Sequence, residues 1–243
     1  MKFVSGEPGV VIGKNLLISD LHIGVELEFQ AKGIEISNFE QEAKRINSIM
    51  KKSKCNRLIV LGDFKHDFYG FKNKEFWVLK KFLNSLECKN IVVIKGNHDS
   101  QLEEFKEVQV VDSKGMILVE KGKNYGLFHG HAFPSHEVIE KSDVFLLGNT
   151  HPLIEIREGE RFSYTTPVWL MGKTKNNQHA GLKTGKKWVL FPAFSSLAGG
   201  VAVNREKSLG PFLKEDNVDL NNAEAFLLDG RRLGFLKNLG WKG

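Results

Sequence analysis

The chain is organised around one stretch, Ile91-Val92-Val93-Ile94-Lys95-Gly96-Asn97-His98-Asp99. Its apolar first half predicts a buried strand. Its second half places an Asn, a His and an Asp in the turn at the carboxyl end of that strand. In open α/β sheets ligands bind at this edge. The stretch therefore predicts an α/β fold with a functional site at the strand ends.

Four other apolar runs end in the same way, in residues that commonly bind metals. These tips are Asp20 and His22 after residues 16–18, Asp63, His66 and Asp67 after 58–61, His129 and His131 after 127–128, and Asn149 and His151 after 144–147. A single Asp or Asn after a strand is usually a turn residue or a helix cap. Five tips that together hold six of the eight histidines are hard to explain as caps. We therefore expect them to build one metal site.

The composition is that of an ordinary globular protein, with 243 residues of which 41% are hydrophobic and 26% are charged. We predict a single domain over residues 1–243, with a motif core at 10–155 and a mostly β part at 156–243. The 35 Lys and Arg exceed the 29 Asp and Glu by a net charge of +6. This balance is compatible with nucleic acid or other phosphate partners but does not require them.

Cysteine content and hydropathy indicate the cellular location of the protein. Cys55 and Cys88 are too few for a disulfide framework and are expected to be structural thiols. No run approaches the ~20 apolar residues that span a bilayer, and the N-terminus has no signal-peptide pattern. The sequence therefore predicts a cytoplasmic protein without membrane contact.

The order of predicted elements changes along the chain. Up to about residue 107, strands alternate with helices, which include an apolar stripe from Phe76 to Leu86 and capping boxes beginning at Ser37 and Ser100. Later residues form short strands, one more helix capped by Ser135, and a polar loop or exposed hairpin at 172–187. A βαβαβα start and a β-rich end predict two sheets packed face to face with helices outside.

The residue types at the tips suit a defined chemistry. Imidazole, carboxylate and amide oxygen bind first-row divalent metals such as Mn, Fe, Zn or Ni. Asp20 and His22 alternate on one extended tip and so point the same way, and Asp63 can bridge two ions. Two ions about 3.5–4 Å apart activate a water and clamp a phosphate in line. Since the chain has neither a nucleophile elbow nor a Gly-rich phosphate loop, a metal-bound hydroxide is the expected nucleophile.

His98 follows the ligand-type residue Asn97 and is expected to point towards the substrate. A histidine there can protonate a leaving oxygen, with His66 or Asp67 to orient it. Four residues are expected to contact the metal ligands rather than the metal itself, or to contact the substrate: His66, Asp67, Asp99 and His131.

This ordered set of motifs resembles the calcineurin-like metallophosphoesterase superfamily over about residues 10–155. The motifs are Asp20-x-His22, Gly62-Asp63, Gly96-Asn97-His98-Asp99, His129-Gly130 and Gly148-Asn149-x-His151. The resemblance implies a four-layer αββα sandwich of two mixed β-sheets flanked by helices, a dinuclear centre, and hydrolysis of phosphomonoesters or phosphodiesters.

A narrower resemblance is to a prokaryotic, chiefly archaeal, branch of phosphoesterases related to the nuclease subunit of double-strand-break repair complexes. It is carried by Gly62-Asp63-Phe64-Lys65-His66, Phe191-Pro192-Ala193-Phe194 and Gly199-Gly200-Val201-Ala202-Val203-Asn204. The chain has no room for the long helical and capping additions of that nuclease.

The superfamily resemblance also implies a role for each tip residue. Asp20, His22 and His151 would hold the first metal, Asp63 would bridge, Asn97 and His129 would hold the second, and His98 would be the catalytic acid. Asn149 replaces a histidine of the second metal, and an amide is a weaker donor than imidazole. We therefore expect two divalent ions, Mn first with Fe, Zn or Ni as alternatives. The second site should bind weakly, prefer a hard ion such as Mn, or fill only with substrate, and His131 is a spare ligand.

Two functions from different classes stay open. The first is a metal-dependent phosphoesterase, a hydrolase of phosphodiesterase or nuclease type, acting on phosphodiester or phosphomonoester bonds in nucleotides or nucleic acid. The second is a catalytically weak or inactive binding or scaffold module, as one retromer subunit of the superfamily is. His98 favours the enzyme and Asn149 favours the module. Loops 24–36, 64–75 and 172–187 shape the substrate pocket and carry no informative motif, so the substrate and the oligomeric state are not predicted.

Overall fold

The structure, a computed structural model, describes residues 1–67, 73–158, 162–205 and 209–240. Its strands are β1 Lys2–Phe3, β2 Val10–Ile12, β3 Asn15–Ile18, β4 Arg57–Val60, β5 Ile91–Ile94, β6 Val108–Val111, β7 Met116–Glu120, β8 Lys123–Leu127, β9 Val144–Leu147, β10 Pro152–Glu158, β11 Phe162–Lys173, β12 Lys187–Leu190, β13 Val201–Ala202, β14 Glu224–Leu227 and β15 Arg232–Phe235. Its α-helices are α1 Glu26–Ala31, α2 Phe39–Ser53, α3 Asn73–Ser85 and α4 His136–Lys141. Short 3-10 turns cover Leu102–Glu104 and Leu236–Asn238.

The first sheet has the strand order β1-β2-β3-β4-β5-β6. Strands β3 to β6 are parallel neighbours, with Leu16 opposite Leu58, Leu58 opposite Ile91, and Ile91 opposite Val108. β3, β4 and β5 are almost continuously buried and apolar, as expected of parallel strands covered on both faces. Their carboxyl ends therefore meet at one edge of the sheet.

The second sheet has the order β13-β10-β11-β12-β9-β8-β7, and β14 joins β11 to β15. β9 runs parallel to both β8 and β12, so Val144 lies opposite Tyr125 on one side and Lys187 on the other. β7, β11, β14 and β15 pair antiparallel with their neighbours. The carboxyl ends of β8 and β9 thus lead into the histidine tips, while the antiparallel strands form the far part of the sheet.

The apolar core lies in three layers that define the sandwich. The central layer joins residues of the first sheet, such as Leu17 and Val92, to residues of the second, such as Leu146 and Trp169. A second layer packs α2 and α3 on the outer face of the first sheet. A third covers the outer face of the second sheet with α4 and the irregular segment 209–223, which buries Phe212. The predicted αββα sandwich is confirmed, with one outer layer that is only partly helical.

The two predicted capping boxes are wrong. Asn38, not Ser37, precedes helix α2, and it makes no side-chain capping bond within the described residues. Asn38 instead donates from Nδ2 to Ser195 Oγ at 3.3 Å, so a tertiary contact outweighs the local pattern. At the second box Gln101 takes a left-handed φ of 61° before a 3-10 turn.

Three other local predictions concern a helix cap, the strands at 162–173 and the segment 172–187. The cap at Ser135 is confirmed, because its Oγ accepts the backbone N–H of Val138 at 3.3 Å. Where the sequence predicted only short strands, residues 162–173 form the long strand β11, which pairs first with β10 and then with β12 and β14. A bridge between Asn177 and Leu182 closes part of the predicted hairpin at 172–187.

The remaining expectations concern one loop and membrane association. Residues 68–72 of the predicted loop 64–75 lie outside the described residues. Among the helices that the structure describes, none has the length and apolar character to cross a membrane.

Candidate functional site

The tips of both sheets meet at one end of the sandwich. The side chains of Asp20, His22 and Asp63 come from the first sheet, and those of His129 and His151 come from the second. Relative exposure is 0% for Asp20, 4% for His22, 2% for Asp63 and 0% for His129. Carboxylates are almost never this buried unless they are paired, so the cluster needs positive charge.

The backbone at these tips adopts an unusual conformation. Five of the candidate ligands have left-handed φ angles: Asp20 57°, His22 45°, Asp63 50°, Asn149 73° and His151 46°. This region is sparsely populated by residues other than glycine, and such strain persists where the surrounding structure enforces it, often at functional sites. The turns aim alternate side chains into the same space between the sheets.

Three glycines in the motifs are required for steric reasons. A Cβ on Gly62 would collide with the imidazole of His129, one on Gly96 with the carboxylate of Asp63, and one on Gly148 with Ser19 and Asp20. Each glycine therefore lets one tip approach the side chain of another. The close packing of the site therefore requires a glycine immediately before Asp63, Asn97 and Asn149.

Four side chains form the larger of two groups of candidate ligands among the described residues. One ligand atom from each of Asp20, His22, Asp63 and His151 lies within 4.8 Å of all the others. His151 Nε2 is 3.1 Å from Asp20 Oδ1 and 3.3 Å from His22 Nε2, and His22 Nε2 is 3.7 Å from Asp63 Oδ2. These are two imidazoles and two carboxylates converging on one space, a donor set that fits a first-row divalent ion.

His129 is oriented as metal-binding histidines commonly are. Its Nδ1 lies 2.7 Å from the carbonyl oxygen of Leu61. Because a carbonyl only accepts, Nδ1 carries the proton and Nε2 keeps its lone pair in the neutral ring. That Nε2 is buried, has no hydrogen-bond partner among the described residues, and lies 3.3 Å from Asp63 Oδ2. An ion between His129 and Asp63 would satisfy it.

The electrostatics of the protein alone point the same way. Burial acts to lower the pKa of His129, but the charges of Asp63 and Asp20 outweigh it and raise that pKa to about 9. Burial also acts against the charged form of Asp63, yet His129 and His22 hold its pKa below the usual range. Burial lowers the pKa of His22 to about 4. Asp20 and Asp63 therefore stay charged and can bind a cation.

His98 lies at the rim of this cluster. Its backbone N–H donates to Asp63 Oδ1 at 3.0 Å, and its Nε2 is 3.8 Å from Asp63 Oδ2. Its Nδ1 is hydrogen-bonded to the carbonyl oxygen of His66, which fixes the proton on Nδ1. The predicted orienting role of His66 thus falls to its backbone rather than its side chain.

His66 joins His22 and His98 in a second group that was not predicted as a set. The ligand atoms of the three histidines lie within 4.8 Å of one another. His66 Nδ1 is 3.3 Å from His22 Nδ1, and its Nε2 is 3.0 Å from Glu28 Oε1. The imidazoles of His66 and His98 are stacked with centroids 5.7 Å apart. Periodicity gives no sign of this group, because its members lie on three separate tips.

The two asparagines are placed differently from the histidines. Asn97 is exposed in the turn after β5 and is not part of the buried group. Asn149 is half-buried, and its backbone N–H lies 3.2 Å from both carboxylate oxygens of Asp20. The main chain of Asn149 therefore holds a candidate ligand.

The other predicted supporting residues are Asp99, His131 and Asp67. Asp99 is fully buried and accepts N–H bonds from Gly96 at 2.8 Å and Phe64 at 2.8 Å, which ties two tips together. Burial, and after it the charge of Asp63, raises the pKa of Asp99 to about 6. His131 has a buried Nδ1 with no hydrogen-bond partner among the described residues, and its ring lies 5.2 Å from that of His129.

Asp67 and one missed segment complete the surroundings. The backbone N–H of Asp67 donates to Glu75 Oε1 at 2.8 Å. The missed segment is 193–196: the N–H of Phe194 donates to the carbonyl of Ser19 at 2.8 Å, and that of Ser195 to the carbonyl of Asp20 at 3.2 Å. Its only sequence signal was the motif around Phe191, which by itself carries no metal chemistry.

Comparison with known proteins agrees with this geometry. The family model described as calcineurin-like phosphoesterase matches residues 14–221. None of the curated proteins compared matches the chain significantly.

Solved structures resemble the fold. A nuclease MPE from Pseudomonas putida aligns with a TM-score of 0.56 and 21% identity, over 90% of this chain and 88% of that one. A phosphoesterase from E. coli, Yfce, aligns with a TM-score of 0.40 and 14% identity, over 90% of this chain and 96% of that one. The first of these supports the sandwich architecture and no finer property.

Proposed function

Since the chain belongs to the calcineurin-like phosphoesterase family, we propose that it is a metal-dependent hydrolase of phosphate esters, acting on phosphodiesters in nucleotides or nucleic acid. The observation that carries the proposal is the buried group of Asp20, His22, Asp63 and His151 beside the unpartnered Nε2 of His129. Two carboxylates and three imidazoles converge there, and the buried Nε2 of His129 has no hydrogen-bond partner among the described residues. Monoesters are the alternative substrate.

The residues present fit two divalent ions. Asp20, His22 and His151 would hold one ion, His129 would hold the other, and Asp63 lies between them at 3.7 Å from His22 and 3.3 Å from His129. Ions bound there would supply the electrophilic activation of phosphate and water that this reaction class uses. Manganese is the ion we favour, and iron, zinc and nickel share the same donor preference.

The protein's own part is orientation and proton transfer. Left-handed turns and the Leu61 carbonyl fix the ligands before substrate arrives, which lowers the cost of ordering them. Water adds to phosphorus as the bond to the leaving oxygen breaks, and that oxygen takes a proton. His98 is held at its Nδ1 by the His66 carbonyl, so in the doubly protonated ring its Nε2 is the group that would give this proton.

A binding or scaffold role is the second candidate. It is favoured by Asn149, which places an amide where the family has an imidazole, and by Asn97, which is exposed. Both observations weaken only the second ion's ligand set. The buried carboxylates and His98 have no function in a scaffold, so we favour the enzyme.

The test compares hydrolysis of bis-p-nitrophenyl phosphate and p-nitrophenyl phosphate by metal-stripped protein refilled with Mn, Ni, Zn or Mg. We expect activity only with metal, and a higher rate on the diester. Asp63→Asn keeps the shape of the side chain but removes its charge, and should lower kcat/KM by at least about 1,000-fold, as losses of charge-stabilising groups do. Asp112→Asn, at an exposed turn, is the matched control. Folded protein without activity in any metal would favour the scaffold.

A further inference from the structure

A cavity of about 340 Å³ shares one lining residue, His151, with the candidate metal centre. Other lining residues come from the 193–199 segment and from β11. Ligand pockets for small molecules begin at about 300 Å³. The cavity is therefore large enough for part of a substrate whose phosphate lies at the centre.

The cavity is fixed in position relative to the ligands. The N–H groups of Phe194 and Ser195 donate to the carbonyls of Ser19 and Asp20, and the N–H of Val201 donates to the carbonyl of His151 at 3.1 Å. A Cβ on Gly200 would collide with the carbonyl of His151, so this glycine permits the close approach. Both ends of the segment are thus hydrogen-bonded to the backbone of metal-site tips.

The walls of the cavity are mostly apolar and carry little unbalanced positive charge. They include Leu153, Pro167, Phe194 and Leu228. The one cation among them, Arg45, packs 4.3 Å from the centroid of Phe194 and is paired with Glu7 at 2.5 Å and Glu42 at 2.6 Å. A neutral group with apolar faces suits these walls, whereas a second phosphate does not.

Hydroxyl groups on the lining offer hydrogen bonds to the edge of such a group. Ser195 Oγ accepts from Asn38 Nδ2 at 3.3 Å and from the N–H of Leu197 at 3.3 Å. Because a hydroxyl has two acceptor lone pairs and one donor, its proton is available for a ligand. Thr165 and Ser196 add exposed hydroxyls at the entrance.

We propose that this cavity binds a nucleobase of the substrate, next to the phosphate that is hydrolysed. A nucleobase is neutral and planar, with apolar faces and a polar edge, which matches apolar walls with hydroxyl donors. The proposal rests on the proposed phosphoesterase function and adds its substrate class. It also gives the Phe191–Phe194 and Gly199–Asn204 motifs a role, since together they build the wall that faces His151.

The experiment fills the cavity entrance. Thr165→Trp places an indole at an exposed position of β11 that lines the cavity, and Ser163→Trp places the same group two residues earlier on that strand, away from the lining residues. Both esters used release p-nitrophenol: thymidine 5′-(p-nitrophenyl phosphate) and methyl p-nitrophenyl phosphate. The quantity compared is the ratio of their kcat/KM values.

We expect the unsubstituted protein to prefer the thymidine ester by at least about tenfold, the effect of one well-packed base. Thr165→Trp should remove most of that preference, and Ser163→Trp should keep it. A ratio near one in the unsubstituted protein, or one that Thr165→Trp does not change, would overturn the proposal. Failure of the phosphoesterase function itself would show separately, as no metal-dependent release from either ester.

A binding readout does not depend on catalysis. Saturation-transfer NMR with thymidine and metal-free protein should show transfer to the base protons, lost in Thr165→Trp and kept in Ser163→Trp. Transfer that is absent, or equal in all three proteins, would contradict the assignment. Competition by a dinucleotide and by a single-stranded decanucleotide then distinguishes a small nucleotide from a nucleic acid strand as the source of the base.

Discussion

In the first sheet β3, β4, β5 and β6 run parallel, whereas the second sheet mixes antiparallel strands with the parallel pairs β8 with β9, β9 with β12 and β10 with β13. The candidate ligands follow the carboxyl ends of the parallel strands β3, β4 and β5 in the first sheet and of β8 and β9 in the second. The antiparallel strand β11 instead forms a wall of the cavity beside His151. The ends of parallel strands thus carry the candidate ligands, and an antiparallel strand lines the cavity that His151 also lines.

His98 also comes from the first sheet. After Asp63→Asn, its substitution is expected to have the largest effect on activity, and so tests the role of the first sheet most strongly. His98→Asn should lower kcat by about 100-fold or more on a diester with an alkyl leaving group, the usual contribution of a general acid, and by less on p-nitrophenyl esters, whose leaving oxygen needs little protonation. Manganese affinity should change little, because His98 is at the rim of the cluster. Steady-state kinetics and equilibrium dialysis measure the two effects.

The control for His98 is His136→Asn on α4, where the side chain is 82% exposed. It should keep full activity. If His98→Asn keeps full activity, or loses metal and activity together, His98 is not the acid. A shallower loss on esters with better leaving groups would further support proton donation, since such groups need less protonation.

Gly96 tests how closely the tips of the first sheet must pack. Gly96→Ala adds a Cβ that collides with Asp63, and should destabilise the fold by roughly 1–3 kcal/mol, as overpacking does, and weaken manganese binding. Gly122→Ala is the control, because nothing lies within 4 Å of its added Cβ and its φ of 72° costs backbone strain alone. Urea unfolding gives the comparison. Unchanged stability and manganese affinity in Gly96→Ala would show that packing against Asp63 is unimportant.

Asn149 is the weakest metal donor among the candidate ligands of the second sheet. Of the substitutions considered, its replacement should have the smallest effect. Asn149→His restores an imidazole that binds these metals better than an amide, and should raise affinity for the second ion by about tenfold, the scale of changes around metal ligands. The backbone bonds from residue 149 to Asp20 are unaffected by the change. Calorimetric titration with manganese measures it. Unchanged stoichiometry and affinity would mean that Asn149 does not limit the second site.

The same comparison explains which parts of the molecule the sequence could predict. A parallel strand is a continuous apolar run followed by a polar tip, so residues 91–99 and their four counterparts were recognisable, and so was the order of the motifs. The steric need for Gly62, Gly96 and Gly148 was not, because it arises between tips that are far apart in the sequence.

Features that depend on tertiary contacts were missed for the same reason. Asn38 was expected inside a capping box but bonds Ser195, which lies 157 residues away. The group of His22, His66 and His98 joins three tips that are far apart in the sequence. Local sequence patterns identify the candidate residues. The packing of the two sheets determines which of those residues come into contact.

The central claim is that tips from both sheets close a single metal centre. Its most direct test is manganese binding by metal-stripped protein, followed by equilibrium dialysis, for the unsubstituted chain, for His22→Asn in the first sheet and for His129→Asn in the second. The account predicts that each substitution lowers affinity or stoichiometry, by at least about tenfold in affinity, while circular dichroism shows a folded protein. Binding that either variant leaves unchanged would contradict it.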